Sequence, residues 1–195
     1  IYNYVGYAHF AKGEMLDSSL FVLLFSLLTL QFVLSSQFSN HIKERKPAHM
    51  LKGIPTIIPP VLLKVLCEMG HGDTVVIADG NFPAESVGKN SIVIRMDGHG
   101  VPEILDAVLT LMPLDQYVEK PVSIMERVPG DNADISIWKK YEELIARHEG
   151  RDFSSVEKLE RFAFYDEAKK AYAVIATSES SQYANLILRK GCIIA

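Results

Sequence analysis

The histidine of the stretch Met-Gly-His-Gly-Asp has the residue type and the setting for chemistry. His71 stands between Gly70 and Gly72, with Asp73 two residues after it. An imidazole gains and loses a proton near neutral pH, and glycines allow a tight turn that leaves it accessible. The stretch alone allows three interpretations of His71: a loop residue that pairs with Asp73, an acid/base catalyst, or a metal ligand.

The metal interpretation has little further support in the sequence. A metal site needs several donors at suitable spacing, and His49, His99 and His148 have no histidine or cysteine two or four residues away. The patterns GxGxxG, GxxxxGK[ST], GxSxG and HExxH do not occur. We therefore predict neither a bound metal nor a nucleotide cofactor.

Other polar residues occupy positions where ligand contacts are common. Asp79 ends a run of strand-forming residues, which suits either a ligand contact or a turn. Arg161 and Tyr165 are four apart and share one face of a helix, although a solvated, ion-paired helix explains them equally well. Tyr183 and Asn185 are two apart and therefore lie on one side of an extended chain. Their hydroxyl and amide groups suit the binding of sugar hydroxyls, but they could equally be ordinary polar residues at the start of a strand.

The elements that must position these residues alternate between short apolar strands and helices. Prolines and glycines mark the ends of most of them. Predicted helices are 59–70, 101–114, 135–150 and a short one from 159; predicted strands are 74–79, 91–98, 121–128, 171–178 and 184–194. This order predicts the α/β class: a single three-layer domain whose central sheet is covered by helices on both faces.

Bulk composition narrows the classes of partner. The chain has 195 residues, 48% of them apolar, and a net charge of −4, so a single domain has enough material for a core. No basic stripe indicates nucleic-acid binding. The two cysteines, Cys67 and Cys192, lie far apart and fit a reducing compartment such as the cytoplasm.

The first 49 residues differ from the rest. The apolar run 20–34 has fifteen residues, fewer than the roughly 20 that span a bilayer. It fits an irregular extension, a membrane or secretory segment, or an added helix. The polar stretch 40–47 then reads as a linker, so we expect an atypical extension over 1–49 and a catalytic domain over 50–195.

From Met50 to about Gly191 the chain resembles the fucose mutarotase and ribose pyranase family of sugar-ring isomerases. The resemblance lies in the combination of "GHGD", "ADxNFP", "IRxDG", "LxLMPLDxYV", "ERFAFYDEAKKA", "ATSE" and "YANLILRKG". It implies an isomerase that needs no cofactor and interconverts the α and β anomers of a monosaccharide such as L-fucose. A ribose pyranase-type exchange between pyranose and furanose remains an alternative, as does a non-catalytic sugar-binding protein.

The resemblance also implies roles for particular residues. His71 becomes the proton donor and Tyr165 the second catalytic group. The implied substrate-binding residues are Asp79, Asp115, Met125, Arg161, Tyr183 and Asn185. Ala184 departs from a glycine common in the family, and a left-handed backbone there would strain an alanine.

Family members form ring-shaped homo-oligomers, from dimer up to decamer, with pockets at subunit contacts. We therefore expect self-association, a monosaccharide partner, no nucleic acid and no membrane contact by the catalytic domain.

Overall fold

A six-stranded mixed sheet forms the centre of the described part of the chain. The computed structural model describes residues 51–194. Its strands are β1 Thr74–Ala78, β2 Ile92–Met96, β3 Val122–Met125, β4 Val156–Leu159, β5 Ala173–Thr177 and β6 Leu186–Arg189. They are ordered β2-β5-β1-β6-β3-β4. β6 runs antiparallel to both of its neighbours, β1 and β3, while the other pairs are parallel.

Helices cover both faces of this sheet, which confirms the predicted three-layer α/β arrangement. They are α1 Pro60–Glu68, α2 Ala84–Val87, α3 Val101–Leu111, α4 Ile137–Glu149 and α5 Arg161–Ala168. Short 3-10 turns span Gly88–Asn90 and Phe153–Ser155. Val75 and Ile77 pack with α1, α3 and α4, whereas Val76 and Ala78 pack with α2 and α5. Alternate side chains of β1 thus serve two separate cores.

One strand, β4, was not predicted from the sequence. β4 pairs in parallel with β3 at the edge of the sheet, where Glu157 and Lys158 are exposed. Because this edge strand buries few side chains, it lacks the apolar run that marks the central strands. Leu159 is its last residue, so the helix predicted from 159 begins only at Arg161. The run 20–34 and the linker 40–47 lie outside the described residues. Among residues 51–194 no helix has the length and apolar character needed to cross a membrane.

β1 separates two loops that carry candidate site residues. His71 comes before its first residue, Thr74, and Asp79 directly follows its last. At about 3.3 Å per residue, the five steps from Thr74 to Asp79 span about 16 Å. His71 and Asp79 therefore lie at opposite ends of the same strand.

The turn around His71 takes its left-handed residue from Gly72, which has a φ of 85°. Gly70, where the predicted helix 59–70 ends, does not have a positive φ. The Gly70 N–H instead donates to Asp73 Oδ2 at 2.7 Å. The Gly72 N–H donates to the Lys190 carbonyl at 2.9 Å, so the turn is tied to the end of β6. Asp73 thus shapes the turn.

The two glycines should respond differently to substitution. Gly72→Ala forces an alanine into a left-handed backbone and should lower the free energy of unfolding by about 1 kcal/mol. Gly70→Ala should be neutral, because its added Cβ would meet Asp73 Oδ2 at an ordinary 3.7 Å. Urea unfolding midpoints of both variants test this. An equal loss in the two variants would contradict the assignment of the turn.

Candidate active site

A pocket of about 420 Å³ opens at the carboxyl end of β1. It is lined by six of the eight site residues predicted from the sequence: Asp79, Met125, Arg161, Tyr165, Tyr183 and Asn185. Asn81, Phe82, Asp131 and Gln182 complete its wall. This volume lies within the range of small-molecule sites, and the lining carries several polar groups able to bind hydroxyls.

Asp79 and Asn185 form the buried floor of the pocket. The Asn185 Nδ2 group donates to Asp79 Oδ2 at 2.8 Å, and the Asp79 N–H donates to Asn185 Oδ1 at 2.8 Å. Asp79 Oδ1 also accepts the Asn81 N–H at 3.0 Å. Asp79 therefore accepts a turn hydrogen bond and also lines the pocket. Burial raises the pKa of Asp79, although these hydrogen bonds partly oppose the shift.

The segment that carries Tyr183 and Asn185 is anchored from α4. Trp138 Nε1 donates to the Tyr183 carbonyl at 2.9 Å, and the Tyr141 hydroxyl donates to the Ala184 carbonyl at 2.8 Å. Tyr183 has φ 55° and is the one non-glycine residue in the left-handed region within 51–194. Ala184 is fully buried and does not lie in that region, so the strain considered for an alanine there does not arise.

Tyr165 and Arg161 both reach the pocket from α5. The Glu160 carboxylate begins this helix by accepting the N–H groups of Phe162 and Ala163. The Tyr165 ring lies 5.6 Å from the Phe82 ring, centroid to centroid. No hydrogen bond among residues 51–194 involves the Tyr165 hydroxyl, which leaves it available for an incoming ligand.

His71 and Asp115 form a separate pair at the amino end of β1. His71 Nε2 lies 3.0 Å from Asp115 Oδ1, which also accepts the Tyr117 N–H at 3.0 Å. The carboxylate is buried, whereas 47% of the His71 side chain is exposed. Burial raises the pKa of Asp115, but the hydrogen bonds from Tyr117 and His71 outweigh it and leave that pKa below its usual value. The ionised carboxylate therefore accepts Nε2–H, and Nδ1 remains for proton transfer.

The end of β6 holds the loop that carries His71. Lys190 Nζ donates to the carbonyls of Leu66 and Met69, at 2.7 and 2.5 Å. Arg189 donates to the Gly72 carbonyl at 3.2 Å. The cations thus bind the carbonyls that α1 and the turn leave without helical partners. This network fixes the backbone on both sides of His71.

The eight predicted residues do not meet in one pocket of the chain. His71 and Asp115 lie at the amino end of β1, about 16 Å of strand away from the pocket that the other six line. Sequence reasoning also missed Asp131, which reads as part of a Pro-Gly-Asp turn. Asn81 and Phe82 belong to the "NFP" motif and could have been found there.

Comparisons with known proteins agree on one family. Residues 52–193 match the model of the RbsD / FucU transport protein family. The human fucose mutarotase is 48% identical over 147 residues, which cover 73% of this chain and 94% of that protein.

Solved structures give the same result. The fucose mutarotase of Streptococcus pneumoniae, crystallised with L-fucose, is 49% identical with a TM-score of 0.69, covering 74% of this chain and all of that one. FucU of Bifidobacterium longum is 65% identical with a TM-score of 0.72, covering 73% of this chain and all of that one. This chain belongs to the RbsD/FucU family.

Proposed function

We propose that this protein is a sugar isomerase that interconverts the α and β anomers of L-fucose. The observation that carries the proposal is the pocket of about 420 Å³, which places a buried carboxylate, an amide and an accessible tyrosine together. Support also comes from the 49% identity to a fucose mutarotase crystallised with L-fucose. Ribose pyranase-type exchange has less support, because these relatives are named for fucose.

The reaction requires only proton transfers and a bond rotation. A base removes the proton of the anomeric hydroxyl, the C1–O bond to the ring oxygen breaks, and an acid protonates that oxygen. The aldehyde then turns about its C1–C2 bond, and the reverse steps close the ring on the other carbonyl face. No electrons are gained or lost overall. Positioned acid and base groups typically contribute about 10²–10⁴-fold to such a step.

His71 and Tyr165 are the proposed pair for these transfers. With Nε2 held by Asp115 at 3.0 Å, His71 donates and recovers the proton of the ring oxygen through Nδ1. Tyr165 serves the anomeric hydroxyl. Asp115, implied as a hydroxyl-binding carboxylate, has the further role of orienting the imidazole. Asp79 and Asn185 bind sugar hydroxyls.

A site that uses both His71 and Tyr165 requires two subunits. Because the two residues lie at opposite ends of β1, we propose a homo-oligomer in which His71 of one subunit completes the pocket of the next. Head-to-tail contacts of this kind form a ring when the rotation between neighbouring subunits closes on itself. Exposed aromatic side chains support contact surfaces at both ends: Tyr117 beside His71 is 68% exposed, and Phe162 beside Arg161 is 64% exposed.

A non-catalytic sugar-binding protein is the other candidate. It would use the same pocket but would not need His71. Met125, buried in the pocket wall, offers an apolar contact that suits the methyl group of fucose.

The cytoplasmic location and the atypical extension over 1–49 stay predictions.

Removal of the imidazole should abolish exchange. We expect His71→Ala to lose saturation transfer between the anomers of L-fucose in NMR by at least about 10²-fold, because the proton donor is gone. His99→Ala is the matched control, since His99 pairs with Glu103 outside the pocket. Full exchange in His71→Ala with an unchanged circular dichroism spectrum would refute the role of His71.

Mixing two inactive variants tests whether the site is shared. His71→Ala and Tyr165→Phe should each be inactive alone. After they are unfolded together and refolded at equal amounts, about one quarter of the shared sites in a head-to-tail ring should contain both intact groups. Exchange should return to about that fraction of the unaltered protein. A mixture as inactive as its components would show that each site uses one subunit.

A further inference from the structure

A carboxylate outside the proposed proton-transfer pair is bound directly to a pocket tyrosine. The Tyr183 hydroxyl donates to Asp131 Oδ2 at 2.5 Å. Asp131 lies in the loop between β3 and α4, where its Oδ1 accepts the Ala133 N–H at 2.9 Å. Asp131 and Tyr183 both line the pocket of about 420 Å³. The carboxylate is therefore fixed on one side by its own loop and on the other by the tyrosine.

We propose that Asp131 is a positioning residue that accepts the hydrogen bond of the Tyr183 hydroxyl and so turns the lone pairs of the Tyr183 oxygen toward a sugar hydroxyl, for which that oxygen is a hydrogen-bond acceptor. The inference rests on the proposed function, because it concerns the same pocket. It divides the two pocket tyrosines between two tasks: Tyr165 transfers protons and Tyr183 binds substrate.

The number of protons on a phenol supports this division. A tyrosine has one O–H to donate, and in Tyr183 that proton is directed to a carboxylate at the short distance of a charge-assisted bond. The Tyr183 oxygen keeps its lone pairs and already accepts the Val128 N–H at 3.4 Å. The hydroxyl of Tyr165 makes no comparable bond among the described residues. Sugar hydroxyls are donors, so the Tyr183 oxygen can accept from one of them.

The backbone of Tyr183 shows why a positioning group is needed. Its φ of 55° is unfavourable for a residue with a side chain, so contacts must hold it in place. Trp138 binds the Tyr183 carbonyl at 2.9 Å, and Asp131 binds the far end of the side chain. The bond to Asp131 also raises the pKa of Tyr183, and the same bond lowers the pKa of Asp131. Both shifts keep the proton on the tyrosine.

The experiment compares Asp131→Asn, Tyr183→Phe and the double variant in anomer exchange of L-fucose. Asp131→Asn should raise KM about three- to tenfold and leave kcat within about twofold, since substrate binding loses one oriented acceptor. Tyr183→Phe should do the same, and the double variant should be no worse than Tyr183→Phe alone. Asp134→Asn is the matched control, because that carboxylate binds Ser136 of the same loop and does not line the pocket.

Two kinetic results would overturn the inference. One is an unchanged KM in Asp131→Asn. The other is a pair of effects that multiply in the double variant, which would mean that Asp131 contacts the sugar by itself. If Asp131→Asn does not fold, an unchanged KM in Tyr183→Phe is sufficient to reject the inference.

A spectroscopic titration separates this inference from the proposed function. In Asp131→Asn, the ultraviolet absorbance of tyrosinate should show one tyrosine ionising at lower pH than in the unaltered protein. That ionisation should be missing from the double variant, which also carries Tyr183→Phe. An identical titration in Asp131→Asn would overturn the inference. Absence of exchange in the unaltered protein would instead refute the proposed function, and the titration would still decide the role of Asp131.

Discussion

The antiparallel pairing of β6 with β1 is the constraint on which the site geometry depends. It places Leu186 opposite Ile77 and Arg189 opposite Thr74. The residues just before β6 therefore lie at the carboxyl end of β1, and the residues at the end of β6 lie at the amino end of β1. β6 and the residues that flank it thus supply Asn185 to the pocket and the two cations, Arg189 and Lys190, that hold the His71 loop.

This pairing also explains why the two groups proposed for proton transfer lie apart. β1 is buried along almost its whole length and packs into a different core on each face. The loop that carries His71 and the loop that carries Asp79 are therefore kept at opposite ends of this strand. The proposed mechanism, in which His71 and Tyr165 act on two oxygens of one sugar, therefore includes an assembly of subunits. The exposed His71 and the accessible Tyr165 are consistent with the proposed sites completed by a neighbour, and that proposal makes oligomerisation a condition of catalysis.

Much of the fold followed from the sequence, because buried strands and helices carry strong apolar patterns. β4 did not, since an edge strand with Glu157 and Lys158 has no such pattern. Helical and strand spacing related Arg161 to Tyr165 and Tyr183 to Asn185, whereas the grouping of the pocket residues and the roles of His71 and Tyr165 came from resemblance to a family. Asp131 could not be found in this way. Its contact with Tyr183 joins residues 52 positions apart, and no local pattern encodes such a contact.

The most direct test of the account is the exchange rate of L-fucose anomers per chain as dilution separates the subunits, with light scattering reporting the molecular mass. If His71 of one subunit completes the pocket of the next, the rate per chain should fall in parallel with the fraction of assembled protein. It should recover when the sample is concentrated again. A rate per chain that stays constant down to the monomer would contradict the shared site.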